Sequence, residues 1–151
     1  MIEFENILCP TDFSESAENA FNYAISLARK YGAKIHLLHV VEPFTYTTEF
    51  GLDYSAQYRE IEVYAKKLLD ESVESFKKNN LDVEGTLLLG RPFVEIIKFA
   101  EQKKVSLIVM GTHGRTGIEH ALLGSVAEKV VRKSPCPVLT VKRAGQTFRM
   151  P

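Results

Sequence analysis

Ser106-Leu107-Ile108-Val109-Met110-Gly111-Thr112-His113-Gly114-Arg115-Thr116-Gly117 is the stretch on which the reading of this chain turns. Ser106 to Met110 is an apolar run of strand length, and a glycine-rich loop follows it. Beyond the loop, Gly124-Ser125 opens the run Val126-Ala127-Glu128-Lys129-Val130-Val131, which reads as a helix. The order is strand, glycine loop, spacer, then a second glycine at a helix start. Glycine lets backbone N–H groups approach an anion closely and tolerates positive φ. A helix N-terminus adds unpaired N–H donors and a partial positive charge. Together these make a phosphate site built mainly from backbone, so the stretch predicts a nucleotide site.

Working outward, the same strand-then-helix order recurs along the whole chain. Phe4 to Cys9 holds the apolar run Ile7-Leu8-Cys9, which Pro10 ends. The turn Pro10-Thr11-Asp12-Phe13-Ser14 follows, with Ser14 suited to cap a helix. Ala17, Ala20, Phe21, Ala24, Leu27 and Ala28 then share one helical face, and Gly32 closes that helix. Lys34 to Val41 is a continuously apolar run, the pattern of a central parallel strand. Phe44 to Ser55 has no period and reads as a long loop whose aromatics, Phe44, Tyr46, Phe50 and Tyr54, either stack on a base or pack locally.

Ala56 to Lys78 predicts a long helix with Ile61, Ala65, Leu68, Leu69, Ser72, Val73 and Phe76 facing inward. Asp82 to Leu89 is the third strand. Pro92 then starts a helix with Phe93, Ile96, Ile97 and Ala100 on its buried face. The fourth strand is Ser106 to Met110, and Pro137-Val138-Leu139-Thr140-Val141 holds the fifth. Alternation of this kind predicts an α/β fold: a parallel sheet with helices on both faces. In such sheets ligands bind beyond the C-terminal strand ends, where the strand order reverses. Those ends are Pro10-Thr11-Asp12, Val41-Glu42, Gly90-Arg91 and Met110-Gly111.

The bulk properties narrow the function. At 151 residues the chain suits one domain, expected over 1–143 with a polar tail at 144–151. Nineteen basic and 19 acidic residues leave no global field to steer nucleic acid. The two cysteines, Cys9 and Cys136, are too few for a disulfide framework and read as core-facing thiols in a reducing compartment. The acidic start has no signal-peptide core, and no apolar run nears the ~20 residues that cross a bilayer. The expectation is a cytoplasmic protein without a membrane partner.

The glycine pattern discriminates further. The phosphate-loop pattern G-x-x-x-x-G-K-[ST] is absent, since no lysine follows Gly124. G-x-G-x-x-G is absent too. What stands here is Gly111, two residues, Gly114, nine residues, Gly124-Ser125. With Pro10-Thr11-Asp12-Phe13-Ser14 and the closing Ser134-Pro135-Cys136-Pro137-Val138-Leu139, the chain resembles the universal stress protein family over essentially its whole length. The resemblance implies a Rossmann-like three-layer sandwich of five parallel strands in the order 3-2-1-4-5. It also implies a homodimer, paired through the last strand, Val138 to Val141.

The glycine spacing is that of the family's ATP-binding branch. The resemblance places Pro10, Thr11 and Asp12 against the nucleoside and the backbone of Val41 on the adenine edge. Met110, Gly111, Gly114 and Arg115 surround ribose and phosphates, while Gly124, Ser125 and Val126 complete the phosphate cradle. Magnesium is expected to arrive with the triphosphate, held mostly by phosphate oxygens and water.

Two readings stay open for several of these residues. Gly111 and Gly114 serve either phosphate or a tight turn, and His113 either touches phosphate or is a solvated loop histidine. Asp12 doubles as a favourable anion at a helix N-terminus. His36 and His39 point to opposite strand faces and are no metal pair, and His120 reads as surface. For turnover the loop offers Arg115, His113 and Ser125 but no phosphate-loop lysine, so the expectation is binding with slow hydrolysis at most. The function expected is an ATP-dependent stress-response module acting on an unknown protein partner. The alternatives are a slow ATPase or phosphotransferase, and a dimeric scaffold without nucleotide.

Overall fold

The computed structural model describes residues 1–43, 55–113 and 123–145. Their elements alternate as β1 (Asn6–Pro10), α1 (Glu15–Tyr31), β2 (Lys34–Val41), α2 (Ser55–Lys77), β3 (Val83–Leu89), α3 (Pro92–Gln102), β4 (Leu107–Gly111), α4 (Ser125–Lys133) and β5 (Val138–Val141). The five strands form one parallel sheet in the order β3-β2-β1-β4-β5. Ile7 pairs with Ile35 on one side and with Leu107 on the other, so β1 is the centre of the sheet. The chain builds outward to β3, then crosses back to lay β4 on the free side of β1. The strand order therefore reverses between β1 and β4.

Residue alternation assigns the two faces. Ile7, Cys9, Ile35, Leu37, Leu107 and Val109 bury one face under Ala20, Phe21 and Ala24 of α1 and Leu69, Val73 and Phe76 of α2. Leu8, Leu38, Ile108 and Met110 bury the other under Ile96, Phe99 and Ala100 of α3 and Ala127 and Val130 of α4. Each fully buried Leu or Ile contributes roughly 1.5–3 kcal/mol by leaving water. The alanines of α1 let its backbone lie close to the sheet. Ser14 caps α1, its hydroxyl accepting from the Ala17 N–H, and Gly32 ends it at φ 68°. Both ends match what the sequence predicts.

Several details differ from expectation. Pro10 is the last residue of β1, paired with Leu38, and does not break the strand. It lacks only an N–H, which the ladder can spare at a strand end. Gly111 is the last residue of β4 and not part of the loop. Ile61 is exposed, while Phe99 is a core residue of α3 that the helical pattern passed over. Cys9 is buried but Cys136 only half so. His36 and His39 do face opposite layers: His36 stacks edge-on against Phe99 of α3, and His39 against Phe13 before α1. The expected loop aromatics, Phe44, Tyr46, Phe50 and Tyr54, and also His120 and 146–151 of the tail, lie outside the described residues.

Candidate functional site

A cavity of about 330 Å³ opens at the C-terminal ends of β1, β2 and β4, where the strand order reverses. Its walls have two characters. Leu38, Val40, Pro92, Ile96 and Met110 supply an apolar side between the sheet and α3. Asp12, Ser14, Thr112, His113, Gly124 and Ser125 supply a polar side between the start of α1 and the start of α4.

The α1 side is a tightly bonded turn. The Thr11 N–H donates to the Leu38 carbonyl (2.8 Å), extending the β1–β2 ladder by one bond. Thr11 Oγ1 accepts from the Phe13 N–H (2.9 Å), and Asp12 Oδ1 accepts from the Ser14 N–H (3.0 Å). These two bonds hold Phe13 at φ 62°, a left-handed conformation unusual for a residue with a side chain. The Asp12 carboxylate is thereby oriented at the cavity wall.

The α4 side is a helix N-terminus. Gly124 caps α4 in an extended conformation (φ −66°, ψ 162°), and as a glycine it brings no side chain to bond the first turn. Its own N–H donates to the Thr112 carbonyl, and the first helical bond runs from Glu128 N–H to the Gly124 carbonyl. The N–H groups of Ser125, Val126 and Ala127 therefore precede the helical ladder, and all three residues line the cavity. Three such donors, with the helix dipole behind them, favour an anion there. Thr112 fixes this end: its N–H donates to the Val141 carbonyl of β5 (2.9 Å), and its hydroxyl lies 2.9 Å from His113 Nδ1.

Of the residues singled out in the sequence, the cavity gathers Pro10, Thr11, Asp12, Met110, Gly111, His113, Gly124, Ser125 and Val126. Gly114 and Arg115 lie outside the described residues. Val41 does not line it: it is buried, it shares a strand face with Ile35 and Leu37, and its carbonyl accepts from the Gly90 N–H. Its neighbours Val40 and Glu42 line the cavity instead. Sequence reasoning missed Ser14, Leu38, His39, Val40, Thr112 and Ala127. Strand alternation was the available clue for two of them, since Leu38 and Val40 share a strand face with His36.

Gly111 also serves the packing of α1. A Cβ built there would sit 2.5 Å from Ser16 Oγ and 2.8 Å from the Ser16 carbonyl carbon. Its missing side chain lets α1 start close against β4. Among the described residues no group of three or more His, Cys, Asp or Glu is placed to hold a metal ion. None of the described helices is long and apolar enough to cross a membrane.

The fold is that of a doubly wound α/β protein, with a cavity at the strand-order switch. The chain belongs to the universal stress protein family, whose model matches residues 3–142. It is 38% identical to the universal stress protein MJ0531 of Methanocaldococcus jannaschii, covering 93% of this chain and 83% of that protein. Among solved structures it resembles MJ0577, with a TM-score of 0.86 and 33% identity over 96% of this chain and 100% of that one. Two more distant neighbours were solved with adenine nucleotides. One is an Archaeoglobus fulgidus universal stress protein in complex with dAMP (TM-score 0.68, 26% identity, 94% of this chain and 100% of that one). The other is a universal stress protein in complex with cAMP (TM-score 0.71, 26% identity, 93% and 99%).

Proposed function

We propose that this protein is a regulatory module that holds ATP in the switch-point cavity. The observation that carries the reading is the pairing of an apolar slot with a glycine-capped helix N-terminus in one cavity. Leu38, Val40, Ile96 and Met110 suit a base, and the N–H groups of Ser125, Val126 and Ala127 suit phosphate oxygens. Pro10, Thr11 and Asp12 line the same cavity, where they would face the nucleoside. His113, Gly114 and Arg115 would close over the phosphates, and Val41 would meet the adenine edge through its main chain. Magnesium would accompany the triphosphate on phosphate oxygens and water. The complexes of family members with dAMP and cAMP support an adenine nucleotide.

Regulation follows if the nucleotide changes the surface offered to a protein partner, in a homodimer joined along Val138–Val141. That requires different affinities for two states of the module. The test is direct. Denaturing the purified protein and weighing what it releases should yield an adenine nucleotide, and calorimetry on the emptied protein should show ATP binding. No released nucleotide together with no ATP heat would sink the reading. Single-turnover phosphate release well above the rate without protein, abolished by His113→Ala or Arg115→Ala, would favour a slow ATPase or phosphotransferase instead.

A further inference from the structure

We propose that His39 is the positioning residue of this cavity: its imidazole clamps the main chain of Thr11 and, through that turn, sets the Asp12 carboxylate. The proposal rests on the nucleotide reading only for what Asp12 would touch. The clamp itself is geometric.

Thr11 is buried, and both of its main-chain groups are held by consecutive residues of β2. Its N–H donates to the Leu38 carbonyl at 2.8 Å, and its carbonyl accepts from His39 Nδ1 at 2.7 Å. A carbonyl only accepts, so Nδ1 must carry the hydrogen. His39 thus acts where the backbone ladder runs out, a side-chain donor continuing it. The ring also lies against Phe13, with centroids 4.6 Å apart and planes at 41°.

The consequence runs along the turn. Thr11 fixes Phe13 through Oγ1, and Phe13 sits at φ 62°. Asp12 lies between these two residues, with Oδ1 on the Ser14 N–H. Without the ring, a buried carbonyl loses its donor and the left-handed residue loses its packing partner. The strained turn then has reason to relax, and the carboxylate moves with it. Because Nδ1 carries a hydrogen in both the neutral and the charged ring, the clamp does not depend on His39 titrating.

Two measurements on the full chain test this. The first is ATP affinity by calorimetry for wild type, His39→Ala, His39→Asn and His39→Gln, with a thermal melt to verify folding. The Asn amide nitrogen stands where Nδ1 stands, and the Gln amide reaches one bond too far. Affinity should fall roughly tenfold in His39→Ala and His39→Gln and return to within about threefold of wild type in His39→Asn. Equal affinity in all four proteins, or rescue by Gln as full as by Asn, would overturn the clamp. Should His39→Ala not fold, the Asn and Gln pair alone decides.

The second measurement needs no nucleotide. Amide exchange of Phe13 and Ser14 should quicken about tenfold in His39→Gln over His39→Asn, with Ala24 inside α1 unchanged. Unchanged exchange at Phe13 and Ser14 overturns the clamp. Absence of ATP binding in wild type overturns the nucleotide reading instead, and the exchange rates still decide the clamp.

Discussion

Gly111 at the end of β4 lies so close to Ser16 of α1 that a Cβ would stand 2.8 Å from the Ser16 carbonyl carbon. Main-chain carbon cannot rotate away as a flexible side chain can. Gly111→Ala must therefore push the first turn of α1 off the sheet, which costs about 1–3 kcal/mol by the usual measure of overpacking. Urea denaturation should show that loss. Nucleotide affinity should fall as well, because the displaced turn begins at Ser14, which lines the cavity.

That contact shows where sequence reading stops. Apolar runs and helical periods made the sheet and its helices legible, because burial acts on each segment by itself. The positions of Asp12, Gly124 and Ser125 at the cavity also followed, since strand ends and helix starts are local features. Whether a glycine serves a ligand or a neighbouring helix depends on what packs against it, and Ser16 is remote in sequence from Gly111. Val40 and Val41 are chemically alike, yet they sit on opposite faces of the strand, and Val40 lines the cavity while Val41 is buried away from it. Ile61 fits the helical stripe of α2 but is exposed, because periodicity says which face a residue is on and not what packs against that face.

The donors at α4 can be separated from the Ser125 hydroxyl. Gly124 has φ −66° and ψ 162°, a conformation that a following proline favours. Proline is also welcome at the first helical position, where its missing N–H breaks no helical bond. Ser125→Pro should therefore leave stability within about 0.5 kcal/mol of wild type while removing both one N–H and the hydroxyl. Ser125→Ala removes the hydroxyl alone. ATP affinity should fall by about threefold to tenfold more in the proline variant than in the alanine variant. Equal affinities would mean that this N–H does not face phosphate.

His36 sets an acid limit on the fold. It is buried on β2, with Nε2 3.1 Å from Asn6 Oδ1 and Nδ1 without a hydrogen-bond partner. Burial holds its pKa below the ordinary 6.5, outweighing the opposite pull of Glu84. The unfolded chain therefore takes up a proton near pH 6.5 that the folded chain refuses. The stability tied to neutral His36 is whole above pH 6.5 and is lost as pH falls below it toward the folded pKa. The slope from this one group is at most about 1.4 kcal/mol per pH unit. Denaturant midpoints between pH 7 and 5 should drop in wild type and drop less steeply in His36→Leu. Parallel curves for the two proteins would remove His36 as the cause.

The two thiols should react in a fixed order. Cys9 is only 1% exposed in the core under α1, and burial pushes its thiol up to about 12. The thiolate is the reactive form, and Cys9 therefore has neither the charge nor the access for alkylation at neutral pH. Cys136 is half-buried just before β5, where Ser134 Oγ donates to its carbonyl at 2.7 Å and lies 3.6 Å from Sγ. Iodoacetamide at pH 8, followed by peptide mass mapping, should label Cys136 within minutes to hours. Cys9 should stay unlabelled until denaturant unfolds the sheet, so its labelling rate should follow the global unfolding equilibrium. Labelling of Cys9 under native conditions at the rate of Cys136 would mean that the α1 layer opens without unfolding. The cavity wall at Ser14 would then be mobile too, since α1 covers Cys9 and starts from its Ser14 cap.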